Sequence, residues 1–167
     1  MSRPAEPMLT PGTSPGLQLW RVTLAWQRRV TAALGPLGLT HVQFVLLAVT
    51  WWENTHGRLP SQVEVAGRAG TDVKMTSEVL RALEQLGLLE RTVDPTDARA
   101  RRLRVTDRGA GLAPRAITVV ESVDRTFFAP VDAAQALSLL TALTASLTED
   151  RRHGPTQRSG AGTDQPT

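Results

Sequence analysis

The basic side chains in this sequence are almost all arginines. Cysteine and tyrosine are absent, and the three histidines, His41, His56 and His153, stand far apart. Without cysteine, disulfides, thiolate zinc sites and thiol nucleophiles are excluded. Zinc generally needs three or four converging ligands, so isolated histidines predict no metal site, and no cofactor is expected. No glycine-rich phosphate loop follows a strand pattern and no serine sits in a nucleophile-elbow context, so nothing positive supports an enzyme. What remains is guanidinium chemistry, a planar and permanently charged fork suited to phosphates and other anionic surfaces.

The stretch DPTDARARRLRVTDRG, residues 94–109, concentrates that chemistry. Residues 91–108 hold Arg91, Arg99, Arg101, Arg102, Arg104 and Arg108 against Asp94, Asp97 and Asp107, a local +3 equal to the excess of the whole chain. The isoelectric point of about 10.8 exaggerates this basicity. Lys74 is the single lysine, and neither tyrosine nor cysteine is present to titrate between about pH 8 and 10. Position therefore matters more than net charge. Leu103 and Val105 alternate with Arg102 and Arg104, the period of a half-buried strand, and LLERTV (88–93) reads as its partner across DPTDARA. Arg99 then lies at a hairpin tip, with Asp94 and Asp97 placed to cap the turn and orient its guanidinium. Arg102 and Arg104 read as outward, solvated residues, which leaves Arg99 and Arg101 as the candidates for an anionic groove.

The elements that must position this hairpin can be read on either side of it. Pro4, Pro7, Pro11 and Pro15 make residues 1–15 a flexible arm that cannot be helical. From Leu17 to Leu34 two apolar stripes recur, one of Leu17, Trp20 and Leu24, the other of Val22, Trp26, Val30 and Ala33, which predicts a helix with more than one neighbour. Gly35 to Gly38 ends it. Thr40 and Gln43 form a capping box, with Leu39 stapled to Phe44, for a helix to about Trp52 or Glu53. Ser61 and Glu64 form a second, opening a short helix that ends near Gly70. In the next helix Met75, Val79, Leu83 and Leu86 fall on one arc, and Val73, Lys74, Ser77, Arg81 and Glu84 on the other. After the hairpin, Thr106 caps a long helix toward Phe128 with a bend expected at Pro114, and Asp132 with Gln135 opens a last helix. The segment after Leu147 has no large apolar residue and reads as a disordered tail.

A short helix, a tight glycine turn, a second helix with a polar outer face and then a hairpin is the layout of a winged helix-turn-helix, a mainly α fold with one small β-hairpin. The polar face of the second helix fits the major groove of double-stranded DNA, with Lys74, Ser77 and Arg81 reaching base edges and phosphates. A cationic hairpin tip suits the minor groove. Over residues 17–147 the chain also resembles the MarR family (multiple antibiotic resistance regulator). The specific part is D-P-x-D-x-R-x-x-x-L-x-V-T-x-x-G, matched by Asp94, Pro95, Asp97, Arg99, Leu103, Val105, Thr106 and Gly109, and the stretch VEVAGRAG…SEVLRALEQLGLLER resembles the two central helices.

That resemblance implies a homodimer whose first and last two helices intertwine, two winged lobes reading a near-palindromic site, and often a small-molecule pocket between the dimer region and the DNA-binding lobe. Arg99 takes the place of the family's wing arginine. The first two long helices carry Trp20, His41, Phe44 and Trp51, the candidates for contact with an effector. Two features depart from the pattern. Gly67 sits inside the short helix, and Glu78 brings an acid beside the expected DNA-facing surface, either to accept from a cytosine amino group or, the preferred reading, to pair with Arg81 or Lys74. The expected organisation is an arm at 1–15, a MarR-like domain at 16–149 with helical dimerisation segments at about 17–35 and 107–148 and a winged helix-turn-helix at about 39–106, and a tail at 150–167. The expected function is a dimeric repressor on a palindromic operator, relieved by a small molecule. A winged-helix module that binds protein instead of DNA is the alternative. No membrane span and no secretory leader is apparent, so a cytoplasmic location is expected.

Overall fold

The computed structural model describes residues 14–94 and 101–152, the last six by backbone alone. Helix α1 (Pro15–Leu34) starts where Ser14 accepts from the amide of Leu17 at 3.3 Å. Pro15, read in the sequence as part of a non-helical arm, is the first helical residue. Proline is well placed there, because the first turn has no use for its missing N–H and its fixed φ already suits a helix. A 3-10 turn at Gly35–Leu37 ends on Gly38 with φ 69°, and the chain re-enters helix at α2 (His41–Thr55). Both halves of its capping box are present, Thr40 accepting from Gln43 N–H at 3.3 Å and Gln43 from Thr40 N–H at 2.9 Å. The helix outruns the expected stop by two residues, through Asn54 and Thr55. Helix α3 (Gln62–Ala69) repeats the device with Ser61 and Glu64, and Gly70 closes it in the left-handed conformation.

Helix α4 (Val73–Gln85) follows at once, its N-cap Asp72 accepting from Met75 N–H at 2.8 Å. Strands β1 (Leu89–Val93) and β2 (Arg101–Val105) pair antiparallel, with Leu89 opposite Val105 and Val93 opposite Arg101. Helix α5 (Asp107–Phe127) starts under Thr106, whose hydroxyl accepts from Gly109 N–H at 3.1 Å, and continues unbroken through Pro114. Two compact units result. The first ends at Phe127, and its core joins Val30 and Leu34 of α1, Leu46 and Leu47 of α2, Leu80 and Leu83 of α4, and Leu103 of β2. Each fully buried leucine there stabilises the fold by roughly 1.5–3 kcal/mol. The second unit begins at Phe128 and holds α6 (Ala133–Arg152), capped by Asp132 on Gln135 N–H at 2.8 Å. Its helix reaches three residues into the span read as tail.

Two local constraints fix the first unit. The start of α5 docks on the turn after α4: Thr106 N–H donates to Leu88 C=O at 3.1 Å, the Thr106 hydroxyl to Gly87 C=O at 2.7 Å, and Arg108 Nη1 to Leu86 C=O at 2.8 Å. Gly109 packs so tightly here that a Cβ would sit 2.0 Å from the Leu88 carbonyl oxygen. The closing glycine of the DPTDARARRLRVTDRG stretch is thus a packing requirement. The second constraint is a charge cluster. Glu53, only 1% exposed, takes a bidentate pair from Arg58 (2.6 and 3.1 Å) and a third bond from Arg68 Nη1 at 2.5 Å. It ties the end of α2 to α3 and satisfies a carboxylate that would otherwise be costly to bury.

Gly109→Ala should therefore cost roughly 2 kcal/mol or more, because rigid backbone cannot give way. Gly111→Ala, two residues on in the same helix with open space around it, should stabilise by about 0.5–1 kcal/mol. Urea denaturation of the two variants checks both signs. The Arg58 hydrogen bonds hold the Glu53 carboxyl below its ordinary pKa against the opposing effect of burial, with the charges of Arg58 and Arg68 adding to the lowering. A carboxylate lowered on folding contributes stability that is complete above its unfolded value and lost as pH falls through its folded one. Urea midpoints taken from about pH 7 down to about pH 3 should show that acid loss in the parent chain, and Glu53→Gln should be less stable at neutral pH with a shallower acid limb.

Candidate nucleic-acid interface

Helix α4 presents a different face from the one its hydrophobic pattern suggests. The buried side chains are Thr76, Leu80 and Leu83, whereas Met75 and Val79 are half-buried and Leu86 is exposed. Thr76 can be buried because its hydroxyl donates to Asp72 C=O and pairs with the Thr71 hydroxyl, both at 2.7 Å. At about 100° per residue, Lys74, Glu78, Arg81 and Gln85 lie within about 50° of the direction opposite that stripe, and Ser77 falls about 90° from it. Lys74, Glu78 and Arg81 are exposed and Ser77 is half-buried. Glu84, assigned to the outer face from sequence, is half-buried and pairs with Arg91 of β1 at 3.3 Å. The expected pairing of Glu78 with Arg81 or Lys74 is not formed among the described residues.

The amino end of α4 is held by its neighbours. Gly70 turns the chain with φ 69°, and Gln62 Nε2 of α3 donates to Val73 C=O at 3.1 Å. Beside it stands the hairpin. The Asn54 side chain accepts from Val105 N–H at 2.8 Å and donates to Leu103 C=O at 3.2 Å and to Arg58 C=O at 2.9 Å. Leu103 N–H donates to Pro60 C=O at 2.8 Å. Arg102 is not the solvated residue its alternation suggested. Its Nε bonds Asp94 and its Nη1 reaches Glu64 at 3.1 Å. Asp94 is accordingly buried where β1 gives way to the hairpin loop, engaged with Arg102. The Ser61 backbone N–H and hydroxyl, and then Arg102 and Arg68, hold Glu64 below the ordinary carboxylate range. Arg101 and Arg104 are exposed. Asp97 and Arg99 lie outside the described residues.

The four aromatic candidates differ in burial and in their neighbours. Trp20 is exposed, Phe44 and Trp51 pack half-buried against the core, and His41 meets the edge of Trp26 with ring centroids 5.0 Å apart. Trp26 Nε1 donates to Asp124 at 2.7 Å, joining α1 to α5. Burial lowers the pKa of His41, with Asp124 pulling it back up. A cleft of about 390 Å³ opens elsewhere, between α2, α3 and α5, lined by Ala48, Val49, Trp52, Glu53, Arg68 and Ile117. No sequence pattern announced it, since Glu53 and Arg68 meet only through the α2–α3 turn.

This architecture has close parallels among known proteins. The MarR family model matches residues 39–100. The uncharacterized HTH-type transcriptional regulator YdcH of Bacillus subtilis is 43% identical over 119 residues, which cover 71% of this chain and 81% of that protein. The HTH-type transcriptional repressor Rv2887 of Mycobacterium tuberculosis is 35% identical over 120 residues, 72% of this chain and 84% of that one. Its crystal structure with salicylic acid matches with a TM-score of 0.59 at 31% identity, over 81% of this chain and 97% of that chain. The S. aureus MepR–DNA complex matches in fold, with a TM-score of 0.70 at 18% identity, over 81% of this chain and 98% of that one. With a polar α4 face, a braced hairpin and relatives of this similarity, the chain belongs to the MarR family of DNA-binding winged helix-turn-helix transcriptional regulators, which are not enzymes.

Proposed function

We propose that the protein is a homodimeric repressor of a near-palindromic operator, working in the cytoplasm and released by a small molecule. The observation that carries the DNA-reading part is the exposed outer face of α4, where Lys74 and Arg81 make no ion pair among the described residues. Cations held without partners on a capped, braced helix are available to phosphates and to base edges in the major groove. In this reading Lys74 and Arg81 make the central contacts and Ser77 a flanking one, while Arg99 and Arg101 of the hairpin reach the minor groove or adjacent phosphates. The fold shared with the MepR–DNA complex supports that placement.

Dimerisation is supported by apolar surface within each unit. Leu19, Trp20 and Val22 of α1 are 53%, 62% and 45% exposed, and on α6 Leu137, Leu139 and Leu143 also lie open. Apolar surface of this extent marks an interaction site. Two-fold symmetry then sets half-sites about 10 bp apart, one helical turn. The repressor assignment follows the similarity to Rv2887, a named repressor. Its complex with salicylic acid supports an aromatic acid as the class of effector, for which the cleft lined by Trp52 and Arg68 is the candidate site.

Arg99→Ala should weaken operator binding by roughly 5- to 150-fold, on the order of 1–3 kcal/mol, and leave thermal unfolding unchanged. Fluorescence anisotropy on a duplex selected from a random library is the measurement, and unchanged affinity would remove the hairpin from the interface. Affinity should also fall steeply as salt rises, because phosphate neutralisation releases counterions. A flat salt response would count against DNA as the partner.

A further inference from the structure

The outer face of α4 carries an acid at its centre. Glu78 lies within about 15° of the outward direction, is exposed, and has Lys74 and Arg81 one turn away on either side. Such neighbours normally neutralise a surface carboxylate, although an acid that follows its lysine is the weaker order for an i,i+4 pair. Among the described residues no cation lies within ion-pairing distance of it. Facing a polyanion, an unpaired carboxylate is repelled by every phosphate and by the acceptor edges of guanine and thymine. Two groups in the major groove can receive it, the exocyclic amines of cytosine and adenine. Adenine sets the N7 acceptor beside its amine, which repels a carboxylate, while cytosine presents its amine alone.

We propose that Glu78 is a specificity-determining residue that selects cytosine, through its exocyclic amino group, at one base pair in each operator half-site. The inference rests on the DNA-reading function proposed above and adds to it the base that the helix prefers. The same carboxylate weakens binding to all other sequences, so Glu78 sharpens recognition from both directions. Lys74 and Arg81 supply attraction that is indifferent to sequence unless they reach guanine, and Glu78 makes productive docking depend on a donor opposite it.

The test selects bound duplexes from a random library with the full chain and with Glu78→Ala and Glu78→Gln, then measures anisotropy on the selected operator with each cytosine in turn replaced by thymine. One symmetric position should cost the parent chain about tenfold or more on replacement and cost Glu78→Ala nothing. Glu78→Ala should also bind unrelated DNA more tightly, and Glu78→Gln, with both a donor and an acceptor, should broaden the preference to adenine. The exposed position leaves folding intact, which thermal unfolding verifies. If the parent chain yields a clear motif and Glu78→Ala recovers it with every base preference unchanged, or gains affinity uniformly on all duplexes, the role assigned to Glu78 is wrong while the DNA-reading function stands. If the parent chain enriches no motif, both fall.

Discussion

A two-stranded hairpin is marginal in water, because it has too little apolar surface to fix its own position. Here the free edge of β2 is closed by groups that are not strand. The Leu103 N–H finds the Pro60 carbonyl, and the Asn54 amide serves Leu103 C=O and Val105 N–H together, standing where a third strand would. Arg102 completes the brace by joining Asp94, at the loop end of β1, to Glu64 at the start of α3. The wing is thereby referenced to α2 and α3, the same helices that seat α4. Its position beside α4 is held by these hydrogen bonds, and side chains locked by such contacts present a surface of fixed geometry.

The orientation of α4 follows from a comparable satisfaction of polar groups. Burial of a threonine costs little when its hydroxyl is paired, and Thr76 is paired with both Thr71 and Asp72 of the α3–α4 turn. That turns the helix about 70° from the roll its apolar arc of Met75, Val79, Leu83 and Leu86 would choose in isolation. Ser77 moves to the flank and Glu78 to the centre. A rotation of this size decides which side chains the helix displays, so a two-oxygen contact inside the turn sets the chemistry presented outside it.

Features governed by local sequence were legible before the structure. The capping boxes at Thr40 and Ser61, the cap at Asp132 and the strand alternation through Leu103 depend on residues within a few positions of one another. So did the closing glycine, although its reason, the 2.0 Å approach to Leu88, needed the fold. Features governed by distant partners were not legible. Arg102 alternates outward like any surface arginine, and only the arrival of Glu64 and the burial of Asp94 engage it. Glu53 looks like a helix-end acid, yet it is buried because Arg58 and Arg68 reach it from beyond the helix. Pro15 was misread because four prolines in sequence suggest an arm, while a serine cap immediately before the last of them makes it a helix start.

The last turn of α2 links these sites through three consecutive residues. Trp52 lines the cleft, Glu53 gathers Arg58 and Arg68, and Asn54 holds β2. Successive helical residues point about 100° apart, so one rigid turn faces the cleft, the α3 helix and the wing simultaneously. A molecule that enters the cleft changes DNA affinity only if it binds one arrangement of this turn better than another. The turn supplies the means for such a difference. Arg68 bonds Glu53 at the cleft wall, and Asn54, the next residue along, bonds the edge of β2.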